Sequence, residues 1–189
     1  VETEFRESMK HRLEKGYLLA GQTDLLCGKK LLIHKINQKN GIGIRTGYYK
    51  AALSGAKSIG DSDAGYVKKI AGITQEDTSL LSYLYQNAVS PHLAAQIEGN
   101  PVDPEKIKKD FDKVKSKFDY VTVEGSGGIV CPIRWDKEHK ILLEDIVKAL
   151  NLNTLVIADA GLGTINAVVL TIEYIRNHGM DHAYFPNKV

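Results

Sequence analysis

Short apolar runs and longer amphipathic stretches alternate along the chain. Runs rich in β-branched and aromatic residues predict strands, whereas apolar residues at helical spacing predict helices. The predicted strands cover residues 17–20, 42–49, 120–123, 154–158 and 184–189, and residues 78–87 suit a strand or a buried helix edge. The predicted helices cover residues 31–40, 104–117 and 142–150, one that begins near residue 91 and one that ends near residue 177. This order predicts an α/β fold in three layers, with a mainly parallel sheet flanked by helices.

One stretch combines a strand pattern with an acid and a glycine-rich turn. Residues 120–123 are Tyr-Val-Thr-Val, which is typical of a strand buried on both faces. Glu124 follows at the carboxyl end, where open α/β sheets bind ligands, and three glycines then turn the chain. Glycine permits positive φ and lets N–H groups approach an anion such as phosphate. Glu124 is therefore either a functional carboxylate or a turn residue, and we favour function because charged residues rarely end buried strands without a partner.

Polar residues follow other predicted strands as well. Lys50 and Ser54 come after the strand at 42–49 and suit a carboxylate or phosphate ligand, although a solvated loop lysine has the same pattern. Asp63 lies near a helix start, where an acid is either an N-cap or a Mg²⁺ ligand that faces bound phosphates. Residues 159–166 open a further helix whose N–H groups suit an anion. Carboxyl ends of parallel strands share one edge of the sheet, so we expect these loops to cluster.

Residues 17–30 have the order of a phosphate-binding P-loop, namely a strand, a loop, Gly28-Lys29 and a helix. The match is imperfect. Gly21 and Gly28 are separated by six residues where the usual pattern has four, and Lys30 replaces the Ser or Thr that binds Mg²⁺. Because Gly-Lys pairs are common, this pattern alone is weak evidence.

The composition is ordinary for a globular protein and excludes a few classes of function. Of 189 residues, 43% are hydrophobic and 25% are charged, and the net charge of +2 gives no reason to expect a nucleic-acid partner. The apolar runs are too short for a membrane span and the charged N-terminus lacks a signal-peptide core, so we predict a soluble cytoplasmic protein without a membrane partner. Cys27 and Cys131 lack metal spacing and are interpreted as buried or incidental thiols.

The length suits one domain, which we assign to residues 17–189. Residues 1–16 are densely charged and form an N-terminal extension, either a short amphipathic helix or a frayed terminus.

Five motifs in a fixed order resemble dethiobiotin synthetase, the ATP-dependent enzyme of biotin synthesis. They are Tyr48–Gly55, Ser62–Ala64, Val89–Ala95, Val123–Gly128 and Ala160–Asn166. The resemblance covers about residues 47–177 and implies a P-loop NTPase-like fold. The family joins CO₂ to 7,8-diaminononanoate, forming a carbamate that ATP phosphorylates before the second amine closes the cyclic urea of dethiobiotin.

The resemblance also implies a role for each matching residue. Lys50 would stabilise the carbamate and the transferring phosphoryl group, with Ser54 beside it. Asp63 and Glu124 would hold Mg²⁺, and Lys29 would contact the ATP phosphates. The other implied positions are Thr23, Asp24, Gly28 and Lys30 for ATP, Asn187 for adenine, Gly127 and Gly128 for substrate and phosphate, and Gly163, Thr164 and Asn166 for the substrate's carboxylate tail across a homodimer interface.

The chain departs from the family pattern at both ends. In the phosphate loop Gln22 replaces a glycine, Leu25 replaces a threonine, and Lys30 replaces the Mg²⁺-binding threonine. The family also continues beyond the position of Val189, so we expect its C-terminal adenine-binding segment to be missing. Three functions stay open: a Mg²⁺- and ATP-dependent dethiobiotin synthetase, a non-catalytic P-loop relative that keeps the fold, and another P-loop ATPase or amide-forming ligase.

Overall fold

The computed structural model describes residues 45–159, 162–180 and 182–187, with Asp159 and residues 182–187 described by their main chain alone. Five α-helices lie in these residues: α1 (Asp63–Ala71), α2 (Pro91–Ile97), α3 (Pro104–Lys115), α4 (Leu143–Ala149) and α5 (Thr164–Asn177). The strands are β1 (Thr46–Ser54), β2 (Leu81–Tyr85), β3 (Tyr120–Glu124), β4 (Pro132–Trp135), β5 (Lys140–Leu142), β6 (Thr154–Asp159) and β7 (His182–Asn187). None of the helices within these ranges is long and apolar enough to cross a membrane.

Strand β1 is the middle strand of a three-stranded parallel sheet with the order β2-β1-β3. It pairs with β2 from Lys50 opposite Leu81, and with β3 from Thr46 opposite Tyr120 to Lys50 opposite Glu124. Strands β6 and β7 form a parallel pair, and β4 and β5 form an antiparallel hairpin. The described strands are therefore mainly parallel, as the alternating pattern predicts.

Two apolar clusters cover the two faces of β1. Adjacent residues of a strand point to opposite faces, and Tyr48 and Tyr49 accordingly belong to different clusters. The cluster of Tyr48 contains the buried side of α1, whereas the cluster of Tyr49 contains residues of α2, α3 and α4. Helices thus flank the sheet on both faces, which confirms the predicted three-layer arrangement.

Helix α1 has clear local signals at both ends. The Ser62 side chain accepts a hydrogen bond from the amide of Gly65 and caps the N-terminus, and Gly72 ends the helix in the left-handed region. At Gly65 the helix also passes very close to the preceding loop, since a Cβ atom there would lie 2.1 Å from the carbonyl oxygen of Ile59. These features place Asp63 in the first turn.

A side chain takes the place of a strand neighbour beside Tyr48. Strand β2 first pairs with β1 at Lys50, so the main chain of Tyr48 lies beyond the end of that pairing. The buried amide of Gln75 fills the gap: its Oε1 accepts from the Tyr48 N–H at 2.8 Å, and its Nε2 donates to the Tyr48 carbonyl at 2.8 Å. Buried main-chain groups require partners, and this one side chain supplies both.

Two expectations about strands are wrong in detail. The strand expected at 42–49 is β1, which continues to Ser54, so Lys50 lies in mid-strand rather than in a loop. The chain stays extended because Ala51, Ala52 and Leu53 are apolar and buried and because Lys50 has carboxylate partners there. Strand β3 is half-buried rather than buried on both faces, since it is an outer strand of the three. The sequence reading did not predict the β4–β5 hairpin.

Candidate active site

A buried lysine shared by two carboxylates forms the centre of the candidate site. The side chain of Lys50 is only 7% exposed. Its Nζ donates a hydrogen bond to Oδ2 of Asp63 at 2.5 Å and lies 3.8 Å from Oε1 of Glu124. A buried ammonium group is costly without such partners, and the two carboxylates together supply one more negative charge than the lysine carries. The structure thus brings three predicted site residues into one cluster.

Different elements deliver the three side chains. Lys50 and Glu124 lie opposite each other in the register of β1 and β3, so their side chains are neighbours on one face of the sheet. Asp63 comes from the first turn of α1, where the helix dipole favours a negative charge. Glu124 is the last residue of β3, as predicted, whereas Lys50 reaches the cluster from mid-strand.

Tyr48 is a member of the cluster that the sequence reading missed. It lies two residues before Lys50 on the same face of β1, and its hydroxyl donates to Oε2 of Glu124 at 2.6 Å. Burial, and then the negative charge of Glu124 that accepts this hydrogen bond, raise the pKa of the Tyr48 phenol well above its ordinary value. The phenol is therefore a neutral donor. A strand prediction that continued past Tyr49 would place Tyr48 and Lys50 on the same face, because they are two residues apart.

The two carboxylates fit a divalent cation bound together with phosphates. Oδ1 of Asp63 is buried and has no hydrogen-bond partner among the described residues. No group of three His, Cys, Asp or Glu side chains in the described ranges could hold a metal by itself. Mg²⁺ is usually bound by one or two carboxylates together with phosphate oxygens and water, so a pair of acids suits it.

The glycine-rich turn after Glu124 folds back against β1. The Ser126 hydroxyl donates to the carbonyl of Ala52, and the Cys131 amide donates to the carbonyl of Gly128 at 2.9 Å. Gly127 has a φ of +105°, and a Cβ atom there would lie 3.2 Å from Sγ of Cys131. Burial raises the pKa of the Cys131 thiol, which agrees with an unreactive packing role. The turn therefore requires glycine at Gly127.

Ser54 lies apart from the lysine cluster. It is four residues beyond Lys50 on an extended strand, which corresponds to about 13 Å along the chain. Its hydroxyl donates to the carbonyl of Val89 at 2.5 Å and so holds the loop before α2. The same loop is fixed by Glu98, whose carboxylate accepts from the amides of Gln86 and Asn87. The structure does not bring Ser54 beside Lys50.

The start of α5 is exposed and has no hydrogen bond to Lys50 or Asp63 among the described residues. Gly163 has a φ of +88° and precedes Thr164, and no side chain caps this end of the helix. Among the described residues, no hydrogen bond or ion pair joins Gly163, Thr164 or Asn166 to Lys50 or Asp63. Apolar side chains beside this start are strongly exposed: Leu162, Ile165, Val169 and Leu170.

Known proteins resemble this chain over most of its length. A family model described as an AAA domain matches residues 16–183. An ATP-dependent dethiobiotin synthetase BioD of Brachyspira hyodysenteriae is 58% identical over 138 residues, which are 73% of this chain and 62% of the relative. That of Clostridium botulinum strain Loch Maree is 53% identical over 150 residues, 77% of this chain and 64% of the relative. The Clostridium novyi protein of the same name is 44% identical over 176 residues, 89% of this chain and 73% of the relative. The chain belongs to the dethiobiotin synthetase family.

This membership agrees with the predicted resemblance and with a P-loop NTPase-like α/β fold. The chain spans 62% and 64% of the length of the first two relatives. The positions expected to bind ATP in this family, Thr23, Asp24, Gly28, Lys29 and Lys30, lie outside the described residues, as do Gln22 and Leu25. Asn187 ends β7 opposite Asp159, and only its main chain is described. The described part of the site therefore contains Lys50 and its two carboxylates, whereas the positions expected to bind the ATP phosphates lie outside it.

Proposed function

We propose that the protein catalyses the ATP-dependent conversion of 7,8-diaminononanoate and CO₂ to dethiobiotin. The observation that carries the proposal is the buried Lys50, whose ammonium group is shared by Asp63 and Glu124. Membership of the dethiobiotin synthetase family supports an ATP-dependent synthesis of dethiobiotin, because the relatives are named ATP-dependent dethiobiotin synthetases.

The proposed reaction has three steps. One amine of the substrate attacks the carbon of CO₂ and loses a proton, which gives a carbamate. A carbamate oxygen then takes the γ-phosphoryl group of ATP, and ADP is released. The second amine attacks the same carbon and loses a proton, the phosphate leaves with the bonding electrons, and the cyclic urea closes.

In this proposal Lys50 neutralises charge at the reacting groups. Phosphoryl transfer is catalysed mainly by positioning and by electrostatic stabilisation, so a fixed buried cation is well suited to it. The ammonium group of Lys50 would exchange a carboxylate partner for the carbamate or the transferring phosphoryl group. Burial strengthens that interaction, since little solvent screens it.

Asp63 and Glu124 are proposed to hold Mg²⁺ when nucleotide is bound. A bound Mg²⁺ would neutralise charge on the ATP phosphates. The unpartnered Oδ1 of Asp63 supports the assignment, because a buried carboxylate oxygen without a donor is unfavourable unless a cation or water faces it. Gly127 and Gly128 are proposed to leave room for the phosphate region beside them.

We further propose that the protein acts as a homodimer. The exposed apolar residues around the start of α5 support this, because soluble proteins rarely leave such a group uncovered. In a dimer, Gly163, Thr164 and Asn166 would reach the carboxylate tail of the substrate in the partner subunit.

The test is steady-state ADP release by the purified chain. The proposal expects release that requires both diaminononanoate and bicarbonate, together with Mg²⁺ and ATP. ADP release that continues without diaminononanoate would contradict it and would indicate a different P-loop ATPase or ligase. A parallel assay of Lys30→Thr reports on the phosphate loop, since a gain in turnover would identify Lys30 as a defect.

A second candidate is a nucleotide-binding protein that keeps the fold without the chemistry. The observation that favours it is the altered phosphate loop with Gln22, Leu25 and Lys30. In the family pattern these positions form a tight turn and bind Mg²⁺, so we expect a non-glycine and a second lysine there to weaken nucleotide or metal binding. Tight ATP binding with no turnover, even in Lys30→Thr, would favour this candidate over the enzyme.

A further inference from the structure

We propose that Tyr48 is a positioning residue, which holds the carboxylate of Glu124 in the orientation that binds the divalent cation. The inference rests on the proposed function, because it assigns Glu124 to Mg²⁺. Tyr48 itself would touch neither the cation nor the substrates and would act only through Glu124.

The first argument is the geometry around the Glu124 carboxylate. Its two oxygens face different groups: Oε2 accepts from the Tyr48 hydroxyl at 2.6 Å, and Oε1 lies 3.8 Å from Nζ of Lys50. The shorter contact is a full hydrogen bond, whereas the longer one exceeds hydrogen-bond length. The Tyr48 hydroxyl thus favours one rotation of the carboxylate about a terminal torsion that is soft in itself.

The second argument is that Nζ of Lys50 lies at different distances from its two carboxylates. Lys50 bonds to Asp63 at 2.5 Å while Glu124 remains 3.8 Å away. Loss of the Tyr48 hydroxyl would remove a hydrogen bond that holds Oε2 of Glu124 on the side of Tyr48, and we expect the carboxylate to move towards the ammonium group. A close ion pair between Glu124 and Lys50 would engage the proposed metal ligand and the proposed catalytic cation with each other. The Tyr48 hydroxyl opposes this ion pair by holding Oε2 of Glu124.

The third argument is that Tyr48 is held rigidly enough to position another group. Its side chain is 1% exposed and packs in the cluster that includes Val67 and Leu80. Its main chain is bound on the β2 side by both polar groups of the Gln75 amide. Because the ring and the main chain of Tyr48 are both held in place, its hydroxyl can orient the carboxylate that accepts its hydrogen bond.

Strand β1 supplies a closely matched control in the next residue. Tyr49 is also fully buried, and its hydroxyl also makes hydrogen bonds, to Ser82 at 2.6 Å and to the carbonyl of Ile107 at 3.1 Å. It points to the other face of the sheet and belongs to the other apolar cluster. Tyr49→Phe therefore removes an equivalent hydroxyl without affecting Glu124.

The experiment measures Mn²⁺ binding by electron paramagnetic resonance of the free ion, with a non-hydrolysable ATP analogue present. The full chain, Tyr48→Phe, Tyr49→Phe, Glu124→Gln and the double variant Tyr48→Phe/Glu124→Gln are compared, with a thermal melt of each. We expect the Mn²⁺ dissociation constant to rise about tenfold in Tyr48→Phe and to stay unchanged in Tyr49→Phe. In the Glu124→Gln background, removing the Tyr48 hydroxyl should have no further effect.

The outcomes separate this inference from the proposed function. Equal Mn²⁺ affinity in Tyr48→Phe and the full chain, or an equal loss in Tyr49→Phe, would overturn the positioning role and leave the proposed function standing. A further loss of affinity in the double variant would also overturn it, because Tyr48 would then act by another route. Failure of the unmodified chain to bind Mn²⁺ with nucleotide would contradict the proposed metal site itself, and the inference with it.

Discussion

At the scale of single residues, the candidate site depends on one buried cation and its two acids. Lys50, Asp63 and Glu124 come from three elements, and the buried ammonium group of Lys50 needs the two carboxylates because a buried charge is unfavourable alone. Stability and the proposed chemistry are therefore linked in the same side chains. We expect substitutions to separate the two, since a bound divalent cation would compensate for the lost charge of the lysine but would not replace the proposed contact of Lys50 with the reacting groups.

Lys50→Met should reduce turnover by about 100- to 1,000-fold, because it removes a preorganised charge from the reacting groups. It should also lower the free energy of unfolding by about 1–3 kcal/mol, since the carboxylates lose their shared donor. Thermal melts with and without MgCl₂ check the second effect, and we expect Mg²⁺ to restore part of the loss. Turnover equal to that of the unmodified chain would exclude a catalytic Lys50.

Glu124→Gln should lower turnover by about 100-fold while the free energy of unfolding changes by about 1 kcal/mol or less. The glutamine amide oxygen can still accept from Tyr48, but it is a poor ligand for Mg²⁺. Asp119→Asn is the control, because Asp119 precedes the same strand and pairs with Arg45 at its opposite end. Parallel assays of ADP release should show a loss in Glu124→Gln alone, and a large loss of folded protein instead would favour a structural glutamate.

At the scale of elements, helix α1 places Asp63 through its contact with the preceding loop. Gly65 is required there by close approach, since a Cβ atom would lie 2.1 Å from the main-chain oxygen of Ile59. Main-chain atoms cannot move aside as a flexible side chain can. The position of the helix, and hence that of Asp63, depends on this one glycine.

Gly65→Ala should therefore lower the free energy of unfolding by about 1–3 kcal/mol and also reduce turnover, because α1 must shift together with Asp63. Gly72→Ala is the matched control at the other end of the helix. Gly72 has a φ of +63° but open space around it, so alanine there should cost about 1 kcal/mol and leave turnover intact. Chemical denaturation and ADP release measure both variants; unchanged stability in Gly65→Ala would show that the loop adjusts.

The sequence predicts elements better than it predicts their ends. The helix at Pro104–Lys115 and the strand ending at Glu124 follow from strong patterns, whereas the pattern predicts too early an end for β1 because a lysine is more typical of a loop than of a buried strand. Charge is a local signal, but the partners that permit Lys50 in a strand come from 13 and 74 residues further along the chain. For the same reason the pattern does not single out Tyr48, whereas motif order singles out Asp63 and Glu124, which the structure brings beside Lys50.

At the scale of the whole molecule, the exposed apolar side of α5 is expected to form the homodimer interface. Ile165→Glu should convert the dimer to a monomer, because Ile165 is 80% exposed and a charge there would be buried at the interface. Turnover should fall together with the dimer. Sedimentation velocity measures the first effect and ADP release the second.

Ile97→Glu on α2 is the control, since Ile97 is also exposed but lies far along the chain from α5. A monomeric unmodified chain would contradict the prediction.

The Gln75 amide that bonds to both main-chain groups of Tyr48 has a consequence for local opening. Hydrogen exchange at a strand amide normally follows the fraying of the neighbouring strand. The Tyr48 amide is held instead by one buried side chain, so its protection should be independent of the end of β2. In exchange experiments Gln75→Ala should therefore accelerate deuterium uptake at Tyr48 well before it affects Lys50, whose amide donates to the carbonyl of Leu80 at 2.9 Å. The amides of Tyr48 and Lys50, which are two residues apart on β1, would then exchange with solvent by separate local openings.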